Sequence, residues 1–221
     1  MFTPAFMDGL EEAFARIAEL PEARVVVLTG HDTWFACGGT ADGLADLQQG
    51  GSRFTDRRIY SLPLECELPV IAAMQGHGIG AGWSLGMYCD RAVFAAEGIY
   101  HSNYLWYGFT PGAGATLIFP YRLGDDLGRE VLFTAREYRG RELGERSARL
   151  TVRPTREVLG TALTAADALA RRPRAELLAM KADFAAPLRA KLDAILEREL
   201  AMHETTFIGN DSVRARIAEK F

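Results

Sequence analysis

Two glycine-rich turns carry the residues whose type and spacing could do chemistry. The first, FACGGT, spans residues 35–40, and the second, GHGIGAG, spans residues 76–82. Each turn follows an apolar run of strand character, and the second leads directly into a helical pattern. Backbone N–H groups at such turns are left unpaired and point at whatever lies in front of them. Two of them directed at one oxygen form an oxyanion hole, although glycines needed only for tight turns or close packing would show the same spacing.

Other site chemistries find less support in these residues. The second turn does not fit the dinucleotide-binding pattern GxGxxG, because its glycines alternate at Gly76, Gly78, Gly80 and Gly82. Three cysteines are scattered without metal-ligand spacing: Cys37, Cys66 and Cys89. We therefore predict reduced thiols and no metal site.

Composition places the chain among globular proteins. Its 221 residues are 48% hydrophobic and 24% charged, which suits one well-cored domain. The net charge of −4 argues against a nucleic-acid partner, since neutralising phosphates needs a basic excess. No apolar run approaches the roughly 20 residues of a membrane helix, and the amphipathic start lacks the basic region of a signal peptide. We expect a cytoplasmic protein with no membrane or nucleic-acid partner.

The elements that must position the two turns alternate between strand and helix. Apolar spacing predicts a helix over residues 3–20, with Thr3 and Pro4 as its N-cap and first residue. Continuous β-branched and apolar runs predict strands over 24–30, 68–76 and 91–96, the first two buried on both faces. Residues 155–203 are almost wholly helical in pattern. This alternation indicates an α/β fold with crossover connections.

Three longer strings, in order, carry a resemblance to a known family: FACGG, PVIAAMQGHGIGAGWSLGMYCDRAVFA and YGFTPGAGATLIFPYRLG. Together they resemble the crotonase (enoyl-CoA hydratase/isomerase) superfamily over essentially the whole chain. The resemblance implies an α/β, crotonase-like (ClpP/crotonase) fold with a β-β-α spiral core in residues 1–150. It also implies a C-terminal helical region, residues 151–221, for trimerisation and covering of the active site. Family members begin with a β-hairpin before the first helix, so the N-terminal strands of the core are expected to be missing here.

The same resemblance assigns the site. It places the two oxyanion N–H groups at Gly39 and Ala81, with Gly38 and Gly80 beside them contacting substrate. The substrate would be a thioester on coenzyme A or on the phosphopantetheine of an acyl carrier protein, with no further cofactor. Hydratases of the family carry glutamates at two positions that are Ser84 and Tyr104 in this chain. Because hydration needs those carboxylates to position water and shuttle a proton, plain enoyl hydration is not expected.

Shorter strings narrow the resemblance: GGT at 38–40, FTD at 54–56, YRG at 138–140 and MHETTF at 202–207. They are similar to the second enoyl-CoA-hydratase-like enzyme of polyketide β-branching cassettes. Those enzymes decarboxylate a 3-methylglutaconyl group on an acyl carrier protein to a 3-methylcrotonyl-type thioester. The resemblance implies a carrier-protein partner and a homotrimer or dimer of trimers. Loss of CO₂ supplies the electrons of the dienolate, so this reaction needs no carboxylate base.

The remaining roles are then assigned residue by residue. His203 is predicted to protonate the dienolate or bind the substrate carboxylate, and a surface histidine near a helix end is the alternative. Tyr104 is predicted to be catalytic as a hydrogen-bond donor, and a pocket-filling aromatic is the alternative. Trp106 is expected to line the acyl pocket, and Tyr107 is expected to bind the substrate by donating a hydrogen bond. Arg53 is predicted to contact the substrate, although a solvated arginine has the same pattern.

Two other functions remain open from the sequence. One is an isomerase or hydratase acting on coenzyme A thioesters, and crotonyl-CoA hydration would favour it. The other is a thioester-binding protein without catalytic activity, which tight carrier binding without turnover would favour.

Overall fold

The computed structural model describes residues 1–220, in which eight strands and eleven α-helices form one α/β body. The strands are β1 Val26–Thr29, β2 Trp34–Cys37, β3 Val70–Met74, β4 His77–Ile79, β5 Arg91–Ala95, β6 Ile99–His101, β7 Glu137–Arg139 and β8 Thr151–Arg153. The helices are α1 Pro4–Ala18, α2 Ala41–Gln48, α3 Leu62–Glu65, α4 Ala81–Met87, α5 Tyr104–Tyr107, α6 Ala115–Leu123, α7 Asp125–Thr134, α8 Gly140–Arg146, α9 Thr155–Ala170, α10 Arg174–Thr206 and α11 Asp211–Lys220.

Strands β1 to β6 alternate between two sheets, whereas β7 follows β6 in the same sheet. One sheet has the order β1-β3-β5-β8 and the other β2-β4-β6-β7. All pairs are parallel except β6 with β7. Each repeat of the chain therefore adds one strand to each sheet before a helix follows. This is the β-β-α spiral expected from the sequence, and that prediction is confirmed.

The two strands predicted to be buried on both faces, β1 and β3, differ in their burial. All five residues of β3 are buried, because β1 and β5 flank it and helices cover it. Strand β1 is an edge strand with a single neighbour, so Val26, Val27 and Leu28 are half-buried and Thr29 is exposed. Its continuous β-branched run predicted burial on both faces, and that prediction is wrong for β1.

The positions of the strands in the second sheet were not predicted from local sequence patterns. Its strands β2 and β4 lie in stretches that were expected to be a loop and a glycine turn. They have four and three residues and contain or adjoin glycine, so neither shows a usable period. Pairing with neighbouring strands, rather than local propensity, therefore decides their conformation.

The chain after residue 150 is not helical throughout. It begins with β8, which pairs with β5, and α9 then packs on the first sheet. The long helix α10 presents one buried stripe to the body, and its members are Leu177, Lys181, Ala185, Leu188, Leu192, Leu196, Glu199 and His203. Helix α11 packs on α2 and α5. None of the helices in residues 1–220 combines the length and apolar character needed to cross a membrane.

Candidate active site

The two glycine-rich turns meet at the carboxyl ends of β2 and β4. These strands are parallel neighbours, with Cys37 opposite Ile79. The N–H group of Gly38 donates to the carbonyl of Ile79 at 2.9 Å. A Cβ on Gly38 would lie 3.1 Å from the backbone nitrogen of Ala81. The first turn therefore passes directly beside the start of α4.

This arrangement leaves two N–H groups available. Ala81 is the first residue of α4, so its N–H group has no helical acceptor. Gly39 pairs with Phe2 in an isolated parallel bridge, in which Phe2 donates to the carbonyl of Gly38. Within residues 1–220, neither Gly39 nor Ala81 donates its N–H group to an acceptor. An oxygen bound between the two turns would find both donors free.

Gly80 sets the direction in which the second turn enters α4. Its φ of 54° lies in the left-handed region, which glycine adopts without strain. A Cβ there would also lie 2.9 Å from Oδ1 of Asn103. Its N–H group donates to the carbonyl of His101 at 2.8 Å, which anchors the turn to β6. Gly80 thus faces Asn103 beside the first residue of α4.

Ser84 and Tyr104, which the resemblance assigns to the hydratase glutamate positions, lie together in the core. Ser84 stands three residues after Ala81 on α4, and Tyr104 begins α5. Burial raises the pKa of Tyr104 well above its usual value, and the adjacent Ser84 hydroxyl opposes that shift. Neither hydroxyl has a hydrogen-bond partner of standard geometry in the described part of the chain. The pair is buried and uncharged at neutral pH.

His203 lies near the end of α10 and is buried. Its Nε2 atom lies 2.8 Å from the carbonyl oxygen of Thr110, and its ring lies 4.9 Å from the ring of Phe54. A Cβ on Gly112 would lie 3.2 Å from its Cε1 atom. Burial lowers the pKa of His203 to about 4, although the carbonyls of Thr110 and Pro111 oppose this. The imidazole is therefore neutral at pH 7, with Nε2–H directed at Thr110. The surface histidine considered from the sequence is not found.

Aromatic rings connect the glycine turns with His203. The Tyr107 hydroxyl bonds to the Asn103 side chain, and burial raises its pKa. The Tyr107 ring stacks on Phe109 with centroids 6.2 Å apart, and Phe109 meets His203 edge-on at 5.8 Å. Phe54 is half-buried and also contacts His203. These contacts form a series of rings that runs from Tyr107, beside Asn103, to His203.

Trp106 and Arg53 lie further out. The indole of Trp106 is 43% exposed and is covered by Lys220, whose Nζ lies 3.9 Å from the ring centroid. Arg53 is exposed in the loop before Phe54, and its guanidinium has no hydrogen-bond or ion-pair partner among the described residues. Within residues 1–220, neither side chain forms a hydrogen bond, ion pair or ring contact with the glycine turns. Arg57 and Arg58 are engaged with Glu11 and Asp193.

Two other histidines have structural positions. Nδ1 of His77 accepts from the N–H group of Ile99 at 2.9 Å. His101 ends β6, is buried and bonds through Nε2 to the carbonyl of Ala135 at 2.8 Å. No group of three His, Cys, Asp or Glu side chains in residues 1–220 is placed to hold a metal.

Sequence reasoning missed one buried carboxylate. Glu199 lies one helical turn before His203 on α10 and is fully buried. Its oxygens accept from the N–H groups of Gly114 at 2.8 Å and Thr116 at 2.9 Å, and from the Thr116 hydroxyl at 2.7 Å. The signal that could have found it is its place in the buried stripe of α10, where an apolar residue is expected.

Known proteins match both the fold and this site region. The family model for enoyl-CoA hydratase/isomerase matches residues 1–220. The bacillaene synthase decarboxylase PksI of Bacillus subtilis is 46% identical over 216 residues, covering 98% of this chain and 86% of PksI.

Two solved structures are also similar to this chain. A structure from a dehydratase/decarboxylase couple of polyketide β-branching superposes with a TM-score of 0.98 at 45% identity, covering 100% of this chain and 89% of the other. The ECH2 decarboxylase domain of CurF from Lyngbya majuscula superposes with a TM-score of 0.93 at 35% identity. The match covers 100% of this chain and 89% of the CurF domain. The resemblance to β-branching decarboxylases read from the sequence is confirmed. This chain belongs to the enoyl-CoA hydratase/isomerase family.

Proposed function

We propose that this chain decarboxylates a 3-methylglutaconyl-type thioester on an acyl carrier protein, giving a 3-methylcrotonyl-type thioester in polyketide β-branching. The observation that carries the proposal is the pair of free N–H groups at Gly39 and Ala81 combined with uncharged residues at Ser84 and Tyr104. Such a site stabilises a thioester oxyanion but lacks the carboxylates of a hydratase. The decarboxylase relatives support the same activity.

The atoms and electrons of the proposed reaction are accounted for without a cofactor. The bond between the carboxylate carbon and Cγ breaks, CO₂ leaves, and the electron pair moves through the Cα–Cβ double bond to the thioester oxygen. The dienolate oxygen carries the charge, and the N–H groups of Gly39 and Ala81 stabilise it. Loss of one such donor in other enzymes lowers kcat about 10²- to 10³-fold. One proton, delivered to carbon, completes the product.

His203 is the proposed source of that proton. It is neutral in the free enzyme because burial lowers its pKa to about 4. A substrate carboxylate beside it would favour the imidazolium by Coulomb attraction and raise that pKa. When CO₂ leaves, the attraction disappears, the pKa falls again and the proton becomes available to the dienolate. Binding of the substrate carboxylate therefore protonates His203, and loss of CO₂ makes that proton available for transfer to the dienolate.

The remaining proposed contacts follow from the geometry. Gly38 and Gly80 shape the backbone around the thioester, and Tyr107 closes the acyl pocket beside Asn103. Tyr104 keeps its proton at neutral pH and is the proposed hydrogen-bond donor at the former glutamate position. Trp106 and Arg53 lie further out, where they would meet the phosphopantetheine arm or its carrier rather than the reacting carbons.

We further propose that the chain works in the cytoplasm as a homotrimer or dimer of trimers. Residues 151–221 would supply contacts between subunits and cover the active site. Exposed apolar side chains support such contacts, because Leu159 and Leu163 lie on one face of α9 and Met180 and Phe184 on one face of α10. Helix α11, packed on α2 and α5, supports the covering role.

Parallel assays with two substrates test the proposed activity. We expect CO₂ release from the carboxylated carrier thioester and no hydration of crotonyl-CoA at comparable enzyme concentration. Rapid hydration of crotonyl-CoA without CO₂ release would favour a coenzyme A hydratase. Tight carrier binding with neither reaction would favour a thioester-binding protein without catalysis.

A further inference from the structure

Helix α10 holds the segment 110–116 at two points. His203 contacts its beginning through the carbonyl of Thr110, and the His203 ring lies beside Gly112, where it would meet an added Cβ. Glu199, one turn earlier on the same helix face, binds its end through Gly114 and Thr116. Within residues 1–220, every hydrogen bond to the Glu199 carboxylate comes from this segment.

The segment needs such support because its backbone is strained. Ala113 has a φ of 60° and Gly114 a φ of 65°, and a non-glycine residue in the left-handed region costs about 1–3 kcal/mol. The surrounding contacts must therefore hold the conformation. The Tyr88 hydroxyl donates to the carbonyl of Gly114 at 3.1 Å, and the three bonds to Glu199 fix the neighbouring donors.

We propose that Glu199 is a positioning residue, which holds the segment 110–116 against α10 and thereby fixes the orientation and tautomer of His203. The link is the carbonyl of Thr110, which accepts from Nε2 and leaves Nδ1 without a proton. If the segment moves, that acceptor moves with it. This role rests on the proposed decarboxylation, in which His203 supplies the proton.

A carboxylate at this place is otherwise hard to explain. The position belongs to a buried stripe that is mainly apolar, and an unpaired buried charge is strongly unfavourable. Tyr60, Tyr88 and Tyr104 face Glu199 from other elements, and Arg198 is the nearby cation on its own helix. Burial raises the pKa of Glu199 to about 7, and the bonds from Thr116 and Gly114 oppose that shift.

The test compares Glu199→Gln with Glu197→Gln, which changes an exposed glutamate on the same helix. Glutamine keeps the shape but turns an N–H₂ group toward N–H donors, so one bond is lost. We expect kcat for decarboxylation to fall about 10- to 100-fold, the usual effect of displacing a reacting group, with KM nearly unchanged. Thr116→Val, which removes one donor from the other side, should give a smaller loss in the same direction.

Nitrogen-15 NMR of the His203 ring separates this role from plain structural support. In the wild type and in Glu197→Gln we expect one tautomer with the proton on Nε2 and a titration midpoint near 4. In Glu199→Gln the tautomers should mix and the midpoint should rise.

An unchanged His203 spectrum in folded Glu199→Gln and Thr116→Val would overturn the inference, whatever happens to activity. A changed spectrum in a protein that never decarboxylates would support the positioning role while refuting the proposed function.

Discussion

At the scale of single residues, the site depends on backbone amides whose availability follows from their position. Ala81 can donate to a ligand because it is the first residue of α4, and Gly39 because its bridge to Phe2 leaves its N–H group unused. Side chains at these positions are small or absent, so substitutions that add a side chain test packing rather than hydrogen bonding. A direct test must remove the N–H group itself.

Ala81→Pro removes that donor at the helix position where proline is tolerated best. We expect kcat to fall about 10²- to 10³-fold, because one of two oxyanion donors is lost. Ala81→Gly, which keeps the N–H group, should retain most of the activity. Steady-state kinetics and thermal unfolding of both variants check this. Full activity in a folded Ala81→Pro would remove Ala81 from the mechanism.

The protonation of His203 should depend on the ligand. In the free enzyme we expect its NMR titration midpoint near 4, since burial disfavours the imidazolium. A stable thioester analogue that keeps the carboxylate should raise the midpoint, whereas the matching analogue without a carboxylate should not. Equal midpoints with both analogues would contradict the proposed pairing of His203 with the substrate carboxylate.

The residues of the site were predictable to different degrees. Gly39 and Ala81 lie in motifs whose order along the chain is specific, so their meeting could be predicted. His203 meets the ring of Phe54 from 149 positions away in sequence, and Glu199 bonds to Gly114 and Thr116 from 85 and 83 positions away. No local sequence pattern predicts contacts between residues so far apart in the chain. Only the mainly apolar stripe of α10 marked Glu199 as unusual.

At the scale of elements, the close approach of α4 to β2 holds the two amides together. Gly82 permits it, because a Cβ there would overlap the backbone of Ala36. The strongly patterned elements were predicted from the sequence, such as α1 with its Thr3 cap, β3 and the helices of the second half. The short strands of the second sheet were not, because three or four residues between glycines carry no period.

Gly82→Ala tests that approach. Because the overlapping atoms belong to the backbone, relief requires α4 to move, and we expect a loss of about 1–3 kcal/mol in unfolding free energy together with reduced kcat. The matched change Gly160→Ala lies in α9 with nothing within 4 Å of the new Cβ. It should stabilise the protein by about 0.5–1 kcal/mol. Chemical unfolding measures both. Equal stability of the two variants would show that the approach of α4 to β2 tolerates a side chain.

At the scale of the whole molecule, the unfolding free energy depends on the protonation of two buried groups on α10, His203 and Glu199. Their contributions change with pH in opposite directions. The folded pKa of His203 is lowered to about 4, so its contribution is present above its ordinary pKa of 6.5 and is lost as the pH falls toward 4. The folded pKa of Glu199 is raised to about 7, so its contribution is present below its ordinary pKa of 4.5 and is lost as the pH rises through 7.

His203→Gln should therefore flatten the acid side of the stability profile. Between pH 6.5 and pH 4 the wild type should lose unfolding free energy more steeply than the variant, because only the wild type must keep His203 uncharged. His31→Gln, at an almost fully exposed position, is the control and should follow the wild type. Urea unfolding across this range measures the slopes. Parallel profiles for wild type and His203→Gln would contradict the lowered pKa.

The most direct test of the whole account is intact-protein mass spectrometry of a 3-methylglutaconyl acyl carrier protein incubated with this chain. We predict that the acyl group loses the mass of one CO₂, that the product in deuterium oxide carries one carbon-bound deuterium, and that Ala81→Pro slows the loss about 10²- to 10³-fold. An unchanged acyl group, under conditions where a β-branching decarboxylase converts the same carrier, would contradict the account. So would a gain of the mass of water.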